Sequence, residues 1–125
     1  MGNGLALQET KMNLFKLTVT TPVKQVFDAE VESVVAPGMD GQFGVLAHHA
    51  HMIAPIQSGV FVVRGPEGEK LIAACNGFFE VKPEGCVLTV ESASVVSNRS
   101  EAEDFLEAEQ IQKDLLSSIL QKRTK

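Results

Sequence analysis

From Asn13 to about Val96, apolar and polar positions alternate in short bursts separated by turn residues. NLFKLTVT places Phe15, Leu17 and Val19 on one face, the two-residue period of a half-buried strand. VKQVF follows Thr21-Pro22, where the proline sets a bend. AEVESVVA, from Ala29 to Ala36, reads as one strand with Glu30 and Glu32 turned away from Val31 and Val35. VLAHHAHMI, GVFVVR, KLIAAC, FFEVK and CVLTVE continue the series. GPEG at 65–68 and PEG at 83–85 suit hairpin connections. Seven or more short strands at nearly regular spacing predict an antiparallel sandwich or barrel.

At Ser97 the period changes. SEAEDFLEAEQIQKDLLSSILQ carries Phe105, Ala108, Ile111, Leu115 and Ile119 at helical steps, and Leu106, Leu116 and Leu120 widen the stripe. Ser100 and Glu103 are spaced as a capping box, in which hydroxyl and carboxylate satisfy free amides at the helix start. Glu101, Glu103, Asp104 and Glu107 lie near the positive end of the helix dipole, and Lys122 and Arg123 near the negative end. One helix of about 20 residues, ~30 Å long, is predicted. Propensity alone leaves such a helix marginal, so its stripe must be covered by the sandwich or by a partner. Residues 1–12 read as a loose polar leader, 13–96 as the β-domain and 97–125 as the helical segment.

Composition narrows the function. The 125-residue chain is 44% hydrophobic and 22% charged, enough for one core without disulfides or a structural metal. A formal net charge of -5 argues against a nucleic-acid surface, which shows clustered Lys and Arg. Cys75 and Cys86, separated by ten residues, have no CxxC spacing and read as reduced strand cysteines. No apolar run is long enough to span a bilayer, and MGNGLALQ matches neither a secretory signal nor the N-myristoylation pattern. A cytosolic, reduced chain is expected.

The stretch APGMDGQFGVLAHHAHM, residues 36–52, holds three glycines and then all three histidines of the chain. A phosphate cradle would need a strand before it and a helix after it, and GMDGQFG has strand pattern on its far side. A metal site would use His49 and His51, which share a face if the segment is a strand. No further histidine completes a three-ligand set, although a metal-binding sandwich enzyme centred on this pair is the main alternative. No GxSxG or Cys/His/Asp constellation marks a nucleophile. What is left is a weakly charged glycine loop bearing Met39, Phe43 and Leu46, which fits either an interface or a plain tight turn.

The run VESVVAPGMDGQFGVLAHHAHM resembles the signature of the epsilon subunit of F-type ATP synthases, equivalent to the mitochondrial delta subunit. LTVTTPVKQVF, GVFVVR and CNGFFEVKPEGCVLTVESA agree in order and spacing, so the resemblance covers residues 14 to about 93. It implies a β-sandwich of about ten strands followed by a helical hairpin, of which this sequence supplies a single amphipathic helix. It also implies a non-catalytic central-stalk subunit that couples gamma to the c ring in proton-driven ATP synthesis and can regulate ATP hydrolysis. By position in the motif, Met39, Asp40 and Gln42 would touch the c ring, while Thr21, His49 and Ile53 would face gamma. The helix is the element that could reach the catalytic alpha/beta head. The implied location is the cytoplasmic face of the bacterial inner membrane, with membrane association only through the complex. The family's ATP-binding motif, isoleucine or leucine followed by D-x-x-R-A, has no match in SEAEDFLEAEQIQKDLL. Neither ATP binding, a metal nor another cofactor is therefore expected.

Overall fold

The structure is a computed structural model that describes residues 13–38, 40–48 and 50–123. The leader, residues 1–12, and the site candidates Met39 and His49 lie outside the described residues. Among the described residues, eight strands precede one helix: β1 Phe15–Thr20, β2 Gln25–Val31, β3 Ser33–Gly38, β4 Gly41–Leu46, β5 Met52–Ile56, β6 Gly59–Gly65, β7 Gly68–Lys82, β8 Gly85–Val96 and α1 Arg99–Arg123. Hydrogen bonding links them in the order β2-β1-β8-β7-β5-β3-β4, with β6 paired to β3 and β7.

The long β7–β8 hairpin belongs to both layers of the sandwich. The first half of β7 pairs with β6 and its second half with β5, on the same edge. β8 pairs along the whole other edge of β7, and its first half then takes β1 as a parallel neighbour. This parallel pair departs from the all-antiparallel expectation. KLIAAC and FFEVK are thus one strand that changes layers at Asn76-Gly77. Asn76 has φ 47°, and a Cβ at Gly77 would collide with the Thr89 carbonyl. Only glycine permits so close an approach of the two backbones.

The alternation read in β1 holds, with Phe15, Leu17 and Val19 all buried. AEVESVVA is instead broken at Glu32, whose N–H donates to the Arg64 carbonyl at 2.7 Å. The bend shifts the pleat by one residue, so Val34 and Ala36 enter the core and Val35 is only half-buried. VLAHHAHMI is likewise two strands, β4 and β5, separated by a turn in which His48 has φ 66°. These splits and the fused β7 give eight described strands where the resemblance implied about ten. Between the layers Phe61 and Phe79 meet edge to face at 5.9 Å, surrounded by Leu17, Ile72, Leu88 and the buried valines. Cys75 and Cys86 are free thiols, both buried.

The helix starts two residues earlier than the expected Ser100 cap. Asn98 Oδ1 accepts from Glu101 N–H at 2.9 Å, while Glu101 Oε1 accepts from Ser97 N–H at 2.9 Å. Asparagine's short amide and the glutamate three residues on do what Ser100 and Glu103 were expected to do. α1 then runs back along β8, tied by Ser92 Oγ–H to Glu109 Oε1 at 2.7 Å and by Lys113 Nζ to Glu91 at 3.6 Å. Ala102 is fully buried and Phe105 and Leu106 half-buried, so β7 is covered on both faces over Ile72–Cys75. The sandwich does not cover the rest of the stripe: Ile111, Leu115, Leu116, Ile119 and Leu120 are each more than half exposed.

Candidate functional site: a tip and an adjoining sheet face

The glycine loop is the tip of the β3–β4 hairpin. Gly38 pairs with Gly41 at the end of the two strands. Gly41 has φ 118°, and a Cβ on Gly38 would crowd Gly41 O and the Phe43 ring at 2.9 Å. Both glycines are therefore required by the turn itself. Asp40 and Gln42 are exposed there, beside a shallow recess that Phe43, Met52, Ala54 and Pro55 share with them.

Register places the other candidates on the outer face of the second layer. Pro55 of β5 pairs with Phe78 of β7, Phe78 with Thr89 of β8, and Thr89 with Thr20 of β1. One rung away, Ile53 pairs with Glu80, Glu80 with Val87, and Val87 with Thr18. Side chains in register across neighbouring strands share a face. Ile53, 61% exposed, thus stands on β5, and Thr21 lies just beyond β1, about 14 Å across the sheet over three interstrand steps and about 10 Å further along the strands. Between them is Phe78, 59% exposed, in a groove with Thr21, Pro22, Gly77, Thr89 and Val90.

Thr21 also builds its own corner. Its hydroxyl accepts from Val23 and Lys24 N–H at 3.2 Å, and its N–H donates to the Lys24 carbonyl at 2.9 Å. That turn sets the rim of the groove. Pro55 joins the two halves of the site, because it lines the tip recess and is the register partner of Phe78. Asp40 and Gln42 are therefore continuous with Ile53, Phe78 and Thr21. The residue that sequence reasoning missed is Phe78. Its signal was present in FFEV: a two-residue period with Phe79 in the core must turn Phe78 outward.

The metal reading finds no support. The turn after β4 removes the strand on which His49 and His51 were to share a face. His51 immediately precedes β5 and lies 3.4 Å from Glu80, an exposed pair. Among the described residues, no group of three or more His, Cys, Asp or Glu could hold a metal ion. The other ion pairs, Lys16–Asp28 at 3.2 Å and Arg64–Glu69 at 3.1 Å, are surface pairs of small energetic weight. One titrating group stands out away from this surface: burial pushes the Cys86 thiol above its ordinary 9.0.

A sequence profile of the ATP synthase delta/epsilon chain β-sandwich domain matches residues 14–96. The chain belongs to this family. Among its relatives, the ATP synthase epsilon chain of Bartonella henselae is 36% identical over 94 residues, 75% of this chain and 68% of the relative. That of Sulfurovum is 34% identical over 106 residues, covering 84% of this chain and 81% of the relative. That of Moorella thermoacetica is 39% identical over 83 residues, covering 66% and 62%. A chain of the Euglena gracilis mitochondrial ATP synthase OSCP/F1/c-ring assembly superposes with a TM-score of 0.62 over 78% of this chain and 64% of its own, at 19% identity. A chain of the Tetrahymena thermophila central stalk and c-ring superposes at 0.54 and 14% identity, over 63% of this chain and 64% of its own. At these identities the likeness concerns the fold. No helix among the described residues is long and apolar enough to cross a membrane.

Proposed function

We propose that this epsilon-family chain is a non-catalytic rotor subunit that couples gamma to the c ring of an F-type ATP synthase. The observation that carries the reading is the continuous exposed surface from Asp40 and Gln42, through Pro55, to Phe78 and Thr21. A coupling subunit needs two contact regions on one stiff body, and the exposed tip and adjoining sheet face of the sandwich support that reading. The tip, with Met39, Asp40 and Gln42, meets the c ring, where its glycines allow close backbone approach. The sheet face, with Thr21 and Ile53, meets gamma around Phe78, and His49 is assigned to the same contact by its position in the motif alone. Torque transfer breaks no covalent bond. It requires contacts that do not slip, which implies a well-packed interface of standard size or larger, about 1,600 Å² in total. The chain then sits at the cytoplasmic face of a bacterial membrane, held there through the c ring.

The experiment is size-exclusion chromatography of the protein mixed with purified gamma at low micromolar concentration. Co-elution as a one-to-one complex is expected. Separate elution, with gamma shown to be folded, overturns the gamma assignment. For the tip, Asp40→Lys and Gln42→Lys should leave gamma binding intact while reducing proton pumping by the assembled enzyme, and unchanged pumping removes the c-ring assignment.

A further inference from the structure

The apolar residues of α1 lie on more than one side of the helix. Ala102, Glu109 and Lys113 face the sandwich, as the buried alanine and the two contacts to β8 show. At 100° per residue, a second row made of Asp104, Ala108, Ile111, Leu115, Ser118 and Lys122 lies about 160° around the helix. All six are exposed. Their spacing is four, three, four, three, four, the period of a seam between two packed helices. A helix lying on a sheet has no use for Ile111 and Leu115 on its far side unless a second surface covers them.

The charges in the row indicate what that surface is. Asp104 lies seven residues before Ile111, and Lys122 seven after Leu115, so the row is self-complementary about its centre at position 113. We infer that a second copy of this chain covers the row, the two α1 helices packing antiparallel across a two-fold axis. Ile111 of each copy then meets Leu115 of the other, Ala108 meets Ser118 and permits close approach, and Asp104 meets Lys122 twice. The antiparallel arrangement also sets the helix dipoles head to tail and lays the acidic first turns against the basic last turns. A parallel pair would set acid against acid. The sandwiches lie on the outer sides of the two helices and leave the seam open. A seam of this length falls well below the ~800 Å² per partner of a standard interface, so the dimer is weak. Its existence does not depend on the assignment of the gamma-facing surface, which is on the sandwich.

The test is sedimentation equilibrium of the 125-residue chain in low salt, from about 5 to 500 µM, where a dissociation constant on the order of 10–100 µM is expected. Leu115→Glu, at an exposed position where circular dichroism should read an unchanged fold, should weaken the dimer roughly tenfold or more. Asp104→Lys and Lys122→Asp should each weaken it, and the double reversal should restore it, because every facing pair is again opposite in sign. A protein that stays monomeric throughout overturns the inference, as does a dimer indifferent to Leu115→Glu. Failure of the double reversal to restore association overturns the antiparallel arrangement.

Discussion

Phe78 and Phe79 are adjacent, chemically identical and opposite in environment, so they separate binding from folding. Phe78 is 59% exposed and Phe79 is fully buried. With ~200 Å² of apolar surface on a phenylalanine, roughly 120 Å² of Phe78 is open to a partner. At ~25 cal/mol per Å², covering that area is worth about 3 kcal/mol. Each 1.4 kcal/mol is a factor of ten, so Phe78→Ala should weaken gamma binding by about 100-fold. Its effect on folding should be below ~1 kcal/mol, since it leaves no cavity in the core. Phe79→Ala removes a ring that touches Phe61 and Phe43, at centroid distances of 5.9 and 6.2 Å. That variant should lose about 3–5 kcal/mol of stability, a large share of the ~5–15 kcal/mol a domain possesses. Titration calorimetry against gamma measures the first quantity, and urea unfolding the second. If Phe78→Ala is folded and binds gamma within threefold of the unaltered protein, the outer face of β5, β7 and β8 is not the gamma interface.

Gly77→Ala should destabilise the sandwich by more than ~2 kcal/mol, read as a lower urea midpoint, because the added methyl collides with the Thr89 backbone where β7 changes layers. Asn98→Ala should cost about 1 kcal/mol and reduce far-ultraviolet helicity, whereas Ser100→Ala should change neither, because the observed side-chain cap is at Asn98. The Cys86 thiol is held above its ordinary 9.0 by burial, so the folded state keeps its proton more tightly than the unfolded state. Its contribution to stability is therefore complete below about pH 9 and is lost as pH rises from there through the raised folded value. Urea midpoints at pH 8 and 10 should differ more for the unaltered protein than for Cys86→Ala, and equal differences refute the linkage.

The sequence determined the elements by local rules that need no tertiary information. Phe15, Leu17 and Val19 alternate because a pleat alternates, GPEG and PEG turn because glycine and proline turn, and the helix follows from spacings of three and four. The glycine loop was legible for the same reason, whereas Asp40 and Gln42 were singled out only through the resemblance to the epsilon family. What failed was phase and continuity. A one-residue bend at Glu32, fixed by the distant Arg64 carbonyl, decides that Val34 rather than Val35 enters the core. A turn through His48 separates two strands that read as one. Fusion of KLIAAC and FFEVK depends on the partner β8, which pairs along both halves. The cap fell on Asn98 rather than Ser100 because both spell a plausible box, and the end of β8 decides where the helix leaves the sheet. The site itself is tertiary. Thr21, Ile53 and Phe78 are distant in the chain, and only the register of β5, β7, β8 and β1 sets them on one face. Which side of α1 is covered was likewise beyond the sequence, since two apolar sides look alike until a sheet takes one of them.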